Sequence, residues 1–331
     1  MQLTQKKSRR GDLLTAAAVA MLLAVMAALL YTGSLTRQVT NMLIPTAVYI
    51  VMAVSLNLVV GLLGELSLGH AGFMSVGLFS GCLVAIALTN TALPLMVRLP
   101  VSMLAGGLTA AVFGLLVGLP TLRLRGDYLA IVTLACGEII KNIITNLRVT
   151  GGALGLNTTA IYAGVKELLP YGAALVLLTV AVMLNLKRSK YGRAIMAIRD
   201  NRIAAESVGL SVTRYKLAVF VIAAFFAGCA GVLYGHSLAN IKAAAFDYNM
   251  SIEILVIVVL GGMGSVPGSV VSAIVLTVLP EALREVADYR MLVYAVVLIL
   301  VMQATNNPAM KRFFGAACKS LTPKRKERAA L

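Results

Sequence analysis

Residues 38–64 read QVTNMLIPTAVYIVMAVSLNLVVGLLG, a run without one acidic or basic side chain. A helix needs roughly 20 apolar residues to cross a hydrocarbon core about 30 Å thick, so this run is long enough to span. Outward from it, 13–36, 66–97, 99–122, 168–186, 217–241, 254–280 and 291–310 are equally free of Asp, Glu, Lys and Arg. Only 13% of the chain is charged and 60% is hydrophobic, against about 25% charged in an ordinary soluble domain. A buried soluble core accounts for one such run, not for a chain built from them. Barrel strands would show short alternating segments, whereas these runs are long and rich in Ala, Leu and Val. Every backbone polar group in lipid must be bonded within its own helix or within a closed barrel. The expectation is therefore an all-α polytopic membrane protein.

The helical segments are expected near 12–31, 41–60, 71–90, 99–119, 128–147, 170–187, 214–235, 249–262, 268–284 and 290–306, about ten transmembrane helices. The pair 249–262 and 268–284 is joined by Gly261-Gly-Met-Gly-Ser-Val-Pro-Gly268 inside an uncharged run. It reads equally as two spans or as a re-entrant pair of half-helices beside eight spans. A basic N-terminus (1–11) and a basic tail (307–331) flank a transmembrane region, 12–306. Lys6, Lys7, Arg9 and Arg10 precede an apolar run to Tyr31 that exceeds a signal-peptide core, so a retained first helix is expected.

The net charge of +16 invites a nucleic-acid reading, but in a membrane protein the placement of Lys and Arg matters more than their sum. Of the 29 basic residues, 21 fall on one side when alternate loops are assigned together: four before residue 11, two at 123 and 125, eight within 187–216 and seven within 311–328. The rich side should be cytoplasmic, with both termini inside. Cys82, Cys136, Cys229 and Cys318 show neither metal-ligand spacing nor a secreted disulfide framework. No G-x-x-x-x-G-K-[ST] motif, metal cluster or hydrolytic triad is present, so no cofactor or catalytic residue is expected in this chain.

Several polar features interrupt the apolar runs. Gly64-Glu-Leu-Ser-Leu-Gly-His-Ala-Gly-Phe73 is rich in glycine, which permits positive φ and close backbone approach. It reads as a tight turn with Glu65 and His70 at a wet interface, or as an unwound segment in which Ser67 and His70 bond freed backbone groups. Glu138 and Lys141 share a helix face beside Asn142 and can pair. Ionisable groups within spans often mark a pathway, while a structural pair at the outer interface is the plainer reading; Glu253 is weighed in the same way. The polar stretch 187–213 holds a short helix over 201–208, capped by Asp200 or Asn201 and closed by Gly209. Its Ala204-Ala205 face is expected to pack closely against a partner.

Four blocks, taken together, resemble the LivM-type permeases, membrane subunits of branched-chain amino acid ABC importers. They are Gly64–Phe73; Leu124-Arg-Gly-Asp-Tyr-Leu-Ala-Ile-Val-Thr-Leu-Ala135 with Thr150-Gly-Gly152; Tyr191-Gly-Arg-Ala-Ile-Met-Ala-Ile-Arg-Asp200 through Gly209 to Leu217; and Gly261-Gly-Met-Gly-Ser265. The Gly-rich turns of the pattern are Gly64, Gly69, Gly72, Gly151, Gly152, Gly261, Gly262 and Gly264. The sequence departs from it at Ile203, where the docking motif has Glu, at Pro267 and Ser272, and in the tail after Asn307. The resemblance implies an assembly in the bacterial inner membrane: a second permease, two cytoplasmic ATPases that use ATP, and a periplasmic substrate-binding protein, with no nucleic acid. Arg199, Asp200, Arg202, Ala204, Ala205, Glu206 and Gly209 would then form the loop that docks on the ATPase, with the charged residues as a polar rim. The substrates implied are leucine, isoleucine and valine, with other amino acids or urea and amides as alternatives. An ion-coupled secondary transporter using Glu138, Lys141 and Glu253 is the alternative from another class.

Overall fold

Helices occupy the apolar runs because lipid leaves each backbone N–H and C=O no partner but its own segment. The computed structural model of the chain describes residues 2–33, 36–89, 94–124, 126–282, 296 and 299, with side chains from residue 16 on. Helix α1 is Gln2–Tyr31, α2 Arg37–Asn57, α3 His70–Thr89, α4 Leu95–Thr121, α5 Asp127–Asn146 and α6 Val165–Arg188. Two short helices follow, α7 Lys190–Asp200 and α8 Arg202–Ser207, then α9 Val212–His236, α10 Tyr248–Gly261 and α11 Val266–Ala282. Each of the first nine expected segments coincides with a helix, and the tenth, 290–306, lies outside the described residues together with the tail 307–331. Helix α1 begins at Gln2, within the basic N-terminus. Lys, Arg and Gln are good helix formers and continue the turn.

Among the described residues, seven helices are long and apolar enough to cross a membrane, and Ala16–Tyr31 and Val266–Glu281 are shorter apolar helices. One of the seven joins α2 to a π-helical turn, Leu58–Leu63, and is mostly buried inside the protein. Another, Ala243–Gly261, joins a short 3-10 turn to α10.

Nearly all of this lies in one compact unit, Met1–Val278. At its centre α9 packs against α3 and α4, while α2 lies between α6, α9 and α10. The α3–α4–α9 contact is made of small residues. A Cβ on Gly228 would lie 2.5 Å from Ala110 Cβ and 2.7 Å from the Gly106 carbonyl, and one on Gly107 2.6 Å from Cys229 Sγ. Lipid tails are as apolar as leucine, so association rests on such close approach. Ala224, Ala227, Gly228 and Gly231 of α9 are buried here within one chain.

At the end of the bundle away from the polar stretch, β1 (Leu156–Asn157) pairs antiparallel with β2 (Asn240–Ile241). Buried Thr158 ties the two loops further, its hydroxyl donating to the Leu238 carbonyl at 2.6 Å. Gly151 and Gly152, at φ 79° and 60°, turn the chain out of α5, and a Cβ on Gly151 would overlap the Gly155 carbonyl.

Candidate functional site: two broken helices held by one basic loop

The uncharged runs break twice, after Leu63 and after Gly261, and the structure brings the two breaks together. The π-helical turn Leu58–Leu63 ends on Gly64 in the left-handed region at φ 78°. The second break carries Gly262 and Gly264 at φ 86° and 81°, which favours glycine over any side chain. Asn57, fully buried, joins them: its Oδ1 accepts from the Gly264 N–H at 2.7 Å. Its Nδ2 donates to the Ser265 carbonyl at 3.1 Å and to Ser269 Oγ at 2.8 Å. A Cβ on Gly61 would overlap both Asn57 Oδ1 and the Gly264 amide, so backbone meets backbone there.

Three cations from the 187–216 stretch close on the same junction. Arg199 Nη1 donates to the Gly61 carbonyl at 3.0 Å, and Lys187 Nζ donates to the Gly264 carbonyl at 2.9 Å. Lys216, buried, pairs with Glu65. Cations suit helix C-termini, where carbonyls lack helical partners and the dipole is negative. A Cβ on Gly64 would sit 2.5 Å from Arg199 Cγ, so that glycine makes room for the arginine stem.

Beyond Gly64 the chain is non-helical to Gly69. It runs back between helices. The Leu68 N–H donates to Thr133 Oγ1 at 3.0 Å, and a Cβ on Gly69 would lie 2.5 Å from the Thr133 carbonyl. Gly72 passes Gly137, where an added Cβ would stand 2.9 Å from its Cα. His70 is buried, its Nε2 2.8 Å from Ser55 Oγ, and Ala71 N–H donates to Ser251 Oγ at 3.1 Å. The segment 64–69 is unwound, but His70 meets the Ser55 side chain and not a freed backbone group. Irregular backbone at membrane depth survives only where protein or a polar cavity supplies partners, and Thr133 and Ser251 supply them. Ser67 is buried, and its hydroxyl has no hydrogen-bond partner among the described residues.

The basic loop folds on itself. Ser189 caps α7 by accepting from Gly192 N–H, and Asn201, not Asp200, caps α8 by accepting from Ala204 N–H at 3.0 Å. Gly209 closes α8 at φ 89°. Ala205 is buried against Ile198 and Val212 of its own chain, so it is not on the free face; Ala204, Ile203 and Val208 are exposed instead. Of the four expected rim residues, Arg202 pairs with Glu206 at 2.9 Å on the surface and Asp200 lies outside. Arg199 reaches inward to Gly61 while also holding Asp200 at 3.0 Å.

Glu138 and Lys141 form an ion pair, and Glu138 Oε1 also accepts from the Tyr248 N–H at 2.9 Å, fastening α5 to the first residue of α10. Asn142 is exposed and apart from both. Glu253 lies elsewhere, accepting from Tyr49 at 3.2 Å. Glu138→Lys is expected to lower the thermal stability of the solubilised protein more than Glu138→Gln, by about 1–3 kcal/mol. Glutamine keeps an acceptor for Tyr248, whereas lysine removes it and faces Lys141. Equal melting temperatures would show that the link carries nothing.

Asn57, Ser55 and Lys187 belong to this junction, and no motif in the sequence marks them, whereas Lys216 lies within the block ending at Leu217. The legible signal is the amide at 57 inside a long apolar run, since a polar residue within a span demands a partner.

The family model described as branched-chain amino acid transport system / permease component matches residues 38–302. The high-affinity branched-chain amino acid transport system permease protein LivM of Salmonella typhimurium (strain LT2) is 36% identical over 296 residues, covering 78% of this chain and 66% of that protein. LivM of Escherichia coli (strain K12) is 37% identical over 290 residues, with the same coverage. The chain thus spans just under two thirds of the length of these relatives. LivH, the permease protein of the same description from that strain, is 30% identical over 125 residues, 37% of this chain and 40% of its own. No solved structure matches. The chain is a multi-pass membrane protein, and it belongs to the family of permease components of branched-chain amino acid transport systems.

Proposed function

We propose that this chain is a membrane permease subunit of an ATP-driven importer for branched-chain amino acids. It would lie in the inner membrane with both termini cytoplasmic and with ten spans, α10 and α11 included. Beside it would stand a second permease, two cytoplasmic ATPases and a periplasmic binding protein. The chain binds no cofactor of its own and is not an enzyme; ATP is used by the partner. The observation that carries this reading is the basic loop holding both helix breaks through Arg199, Lys187 and Lys216. A secondary transporter needs no such lever, whereas an importer driven from outside the membrane does. The exposed Ile203, Ala204 and Val208 then offer the apolar docking face, and Ala205 holds α8 to α9 so that a push on α8 reaches the breaks. LivM and LivH relatives in one bacterium support a heterodimeric permease pair.

The test is leucine uptake by proteoliposomes containing the assembled complex. Uptake is expected to require ATP on the loop side and loaded binding protein on the other, and to survive a protonophore. Uptake that persists without ATP and collapses with the protonophore would sink the importer reading in favour of ion coupling.

A further inference from the structure

Glu65, Glu138 and Glu253, three of the glutamates inside or beside apolar segments, are not equivalent. Glu65 is paired with Lys216 and Glu138 with Lys141. Glu253, in the apolar stretch Ala243–Gly261, has no cationic partner among the described residues; Tyr49 OH donates to its Oε2 at 3.2 Å. It forms one wall of a cavity of about 250 Å³. Tyr49 and Tyr234 line the polar side with it, and Phe246 and Met250 line the apolar side. Asp247 also borders the cavity, but its two oxygens are engaged: Oδ1 accepts from Met250 N–H at 3.2 Å and caps α10, and Oδ2 accepts from Asn249 Nδ2 at 2.7 Å. Glu253 is thus the carboxylate turned to an arriving cation.

We propose that this cavity is a binding subsite for an aliphatic amino acid, which sets its α-ammonium on Glu253 and Tyr49 and its side chain against Phe246 and Met250. A carboxylate at a half-buried wall, held by one neutral hydroxyl and no cation, attracts positive charge more strongly than one in water, because the surroundings screen it less. An ammonium brings three donors and no acceptor. It can donate to the second oxygen of Glu253 and to the lone pairs of both tyrosines. The cavity is smaller than the roughly 300–1,000 Å³ of pockets for drug-sized ligands. Phe246 is fixed by its edge-on contact with Phe79, so the apolar wall is preformed. Zwitterions larger than an amino acid, and small neutral amides, are not matched by one carboxylate and two aromatic hydroxyls facing an apolar wall. The identity of the ligand as an amino acid rests on the importer reading, whereas an ammonium site at Glu253 does not.

The experiment places a cysteine at Ala245, an exposed residue that also lines the cavity, in the full complex in vesicles. Its rate of modification by a cationic thiol reagent is then measured. Millimolar leucine and isoamylamine are expected to slow modification by about tenfold, and 4-methylpentanoate, which lacks the ammonium, to leave it unchanged. Glu253→Gln is expected to remove the protection, while Tyr49→Phe, which keeps the carboxylate, retains most of it. A purely structural role for the Tyr49–Glu253 bond would instead make the two variants alike, and that result overturns the proposal. So does equal protection by 4-methylpentanoate or by sodium chloride, or undiminished protection in Glu253→Gln. Should the cysteine variant not assemble, leucine uptake decides: a drop of about tenfold or more in Glu253→Gln with partial recovery in Glu253→Asp supports the site, and wild-type uptake in both overturns it. Protection by isoamylamine in a complex that takes up no leucine would leave the ammonium site standing and remove the importer reading.

Discussion

Leucine at position 228 is expected to abolish recovery of the folded protein. Three helices meet at that glycine. A Cβ alone would lie 2.5 Å from Ala110 Cβ and 2.7 Å from the Gly106 carbonyl, and the Gly77 backbone leaves no room on the other side. Overpacking a soluble core costs about 1–3 kcal/mol because side chains yield. Here the obstacles are Ala110 Cβ and the backbone of Gly106 and Gly107 in α4, so α9 must move as a whole. That forfeits the close contacts that hold helices together in lipid, and the loss should exceed the ~5 kcal/mol that marks an exceptional mutation. The measurement is monodisperse yield by size-exclusion chromatography. Gly164→Leu is the control: nothing lies within 4 Å of an added Cβ there, and loss of a glycine helix cap costs no more than about 1 kcal/mol. Normal yield from Gly228→Leu would mean that α9 does not sit between α3 and α4.

Alanine at position 199 is expected to leave yield unchanged and to lower ATP-driven leucine uptake by about tenfold or more, the loss of one charge-assisted bond of about 1.5–3 kcal/mol. Arg199 is exposed along much of its length, so its removal opens no core cavity. What it removes is the bond from α7 to the Gly61 carbonyl, one of three links between the basic loop and the breaks. Coupling is a free energy shared between sites, so stimulation of ATP hydrolysis by loaded binding protein should fall along with uptake. Arg199→Lys should recover part of the function, since an ammonium can reach one carbonyl but cannot also hold Asp200 through two nitrogens. Full uptake and full stimulation in Arg199→Ala would remove the loop as the coupling element. Ala205→Trp is a poorer probe, because Ala205 is packed inside the loop and the change would unfold α8 itself.

Much of the architecture is legible in the order of the residues alone. Charge-free runs locate eight of the nine described apolar helices, all but α5 with its Glu138 and Lys141, because an ionisable group is costly in lipid and therefore tends to mark the boundary of a span. Glycine at 209 and a polar cap at 201 bound α8 for equally local reasons. The site is less legible. Gly64–Phe73 has the same composition whether it turns at a surface or runs back between helices. The choice depends on Thr133 and Ser251, 65 and 180 residues away from their partners. Ala205 points to a partner because its smallness signals close packing, but the close neighbour is its own chain. That Gly61 meets Gly264 is a non-local fact to which no periodicity refers.

The π-helical turn at Leu58–Leu63 has a mechanical consequence. Bonds from i to i+5 hold one more residue per turn than α-helical bonds do. The turn therefore carries slack in the middle of the chain's most enclosed helix. A return to α-helical bonding would release that residue downstream, advancing Gly64 by about 1.5 Å and rotating it by about 100° about the helix axis. Asn57 stands just before the slack, and the Gly61 carbonyl gripped by Arg199 lies within it. The carbonyl that Arg199 holds therefore lies inside the segment that such a change would displace.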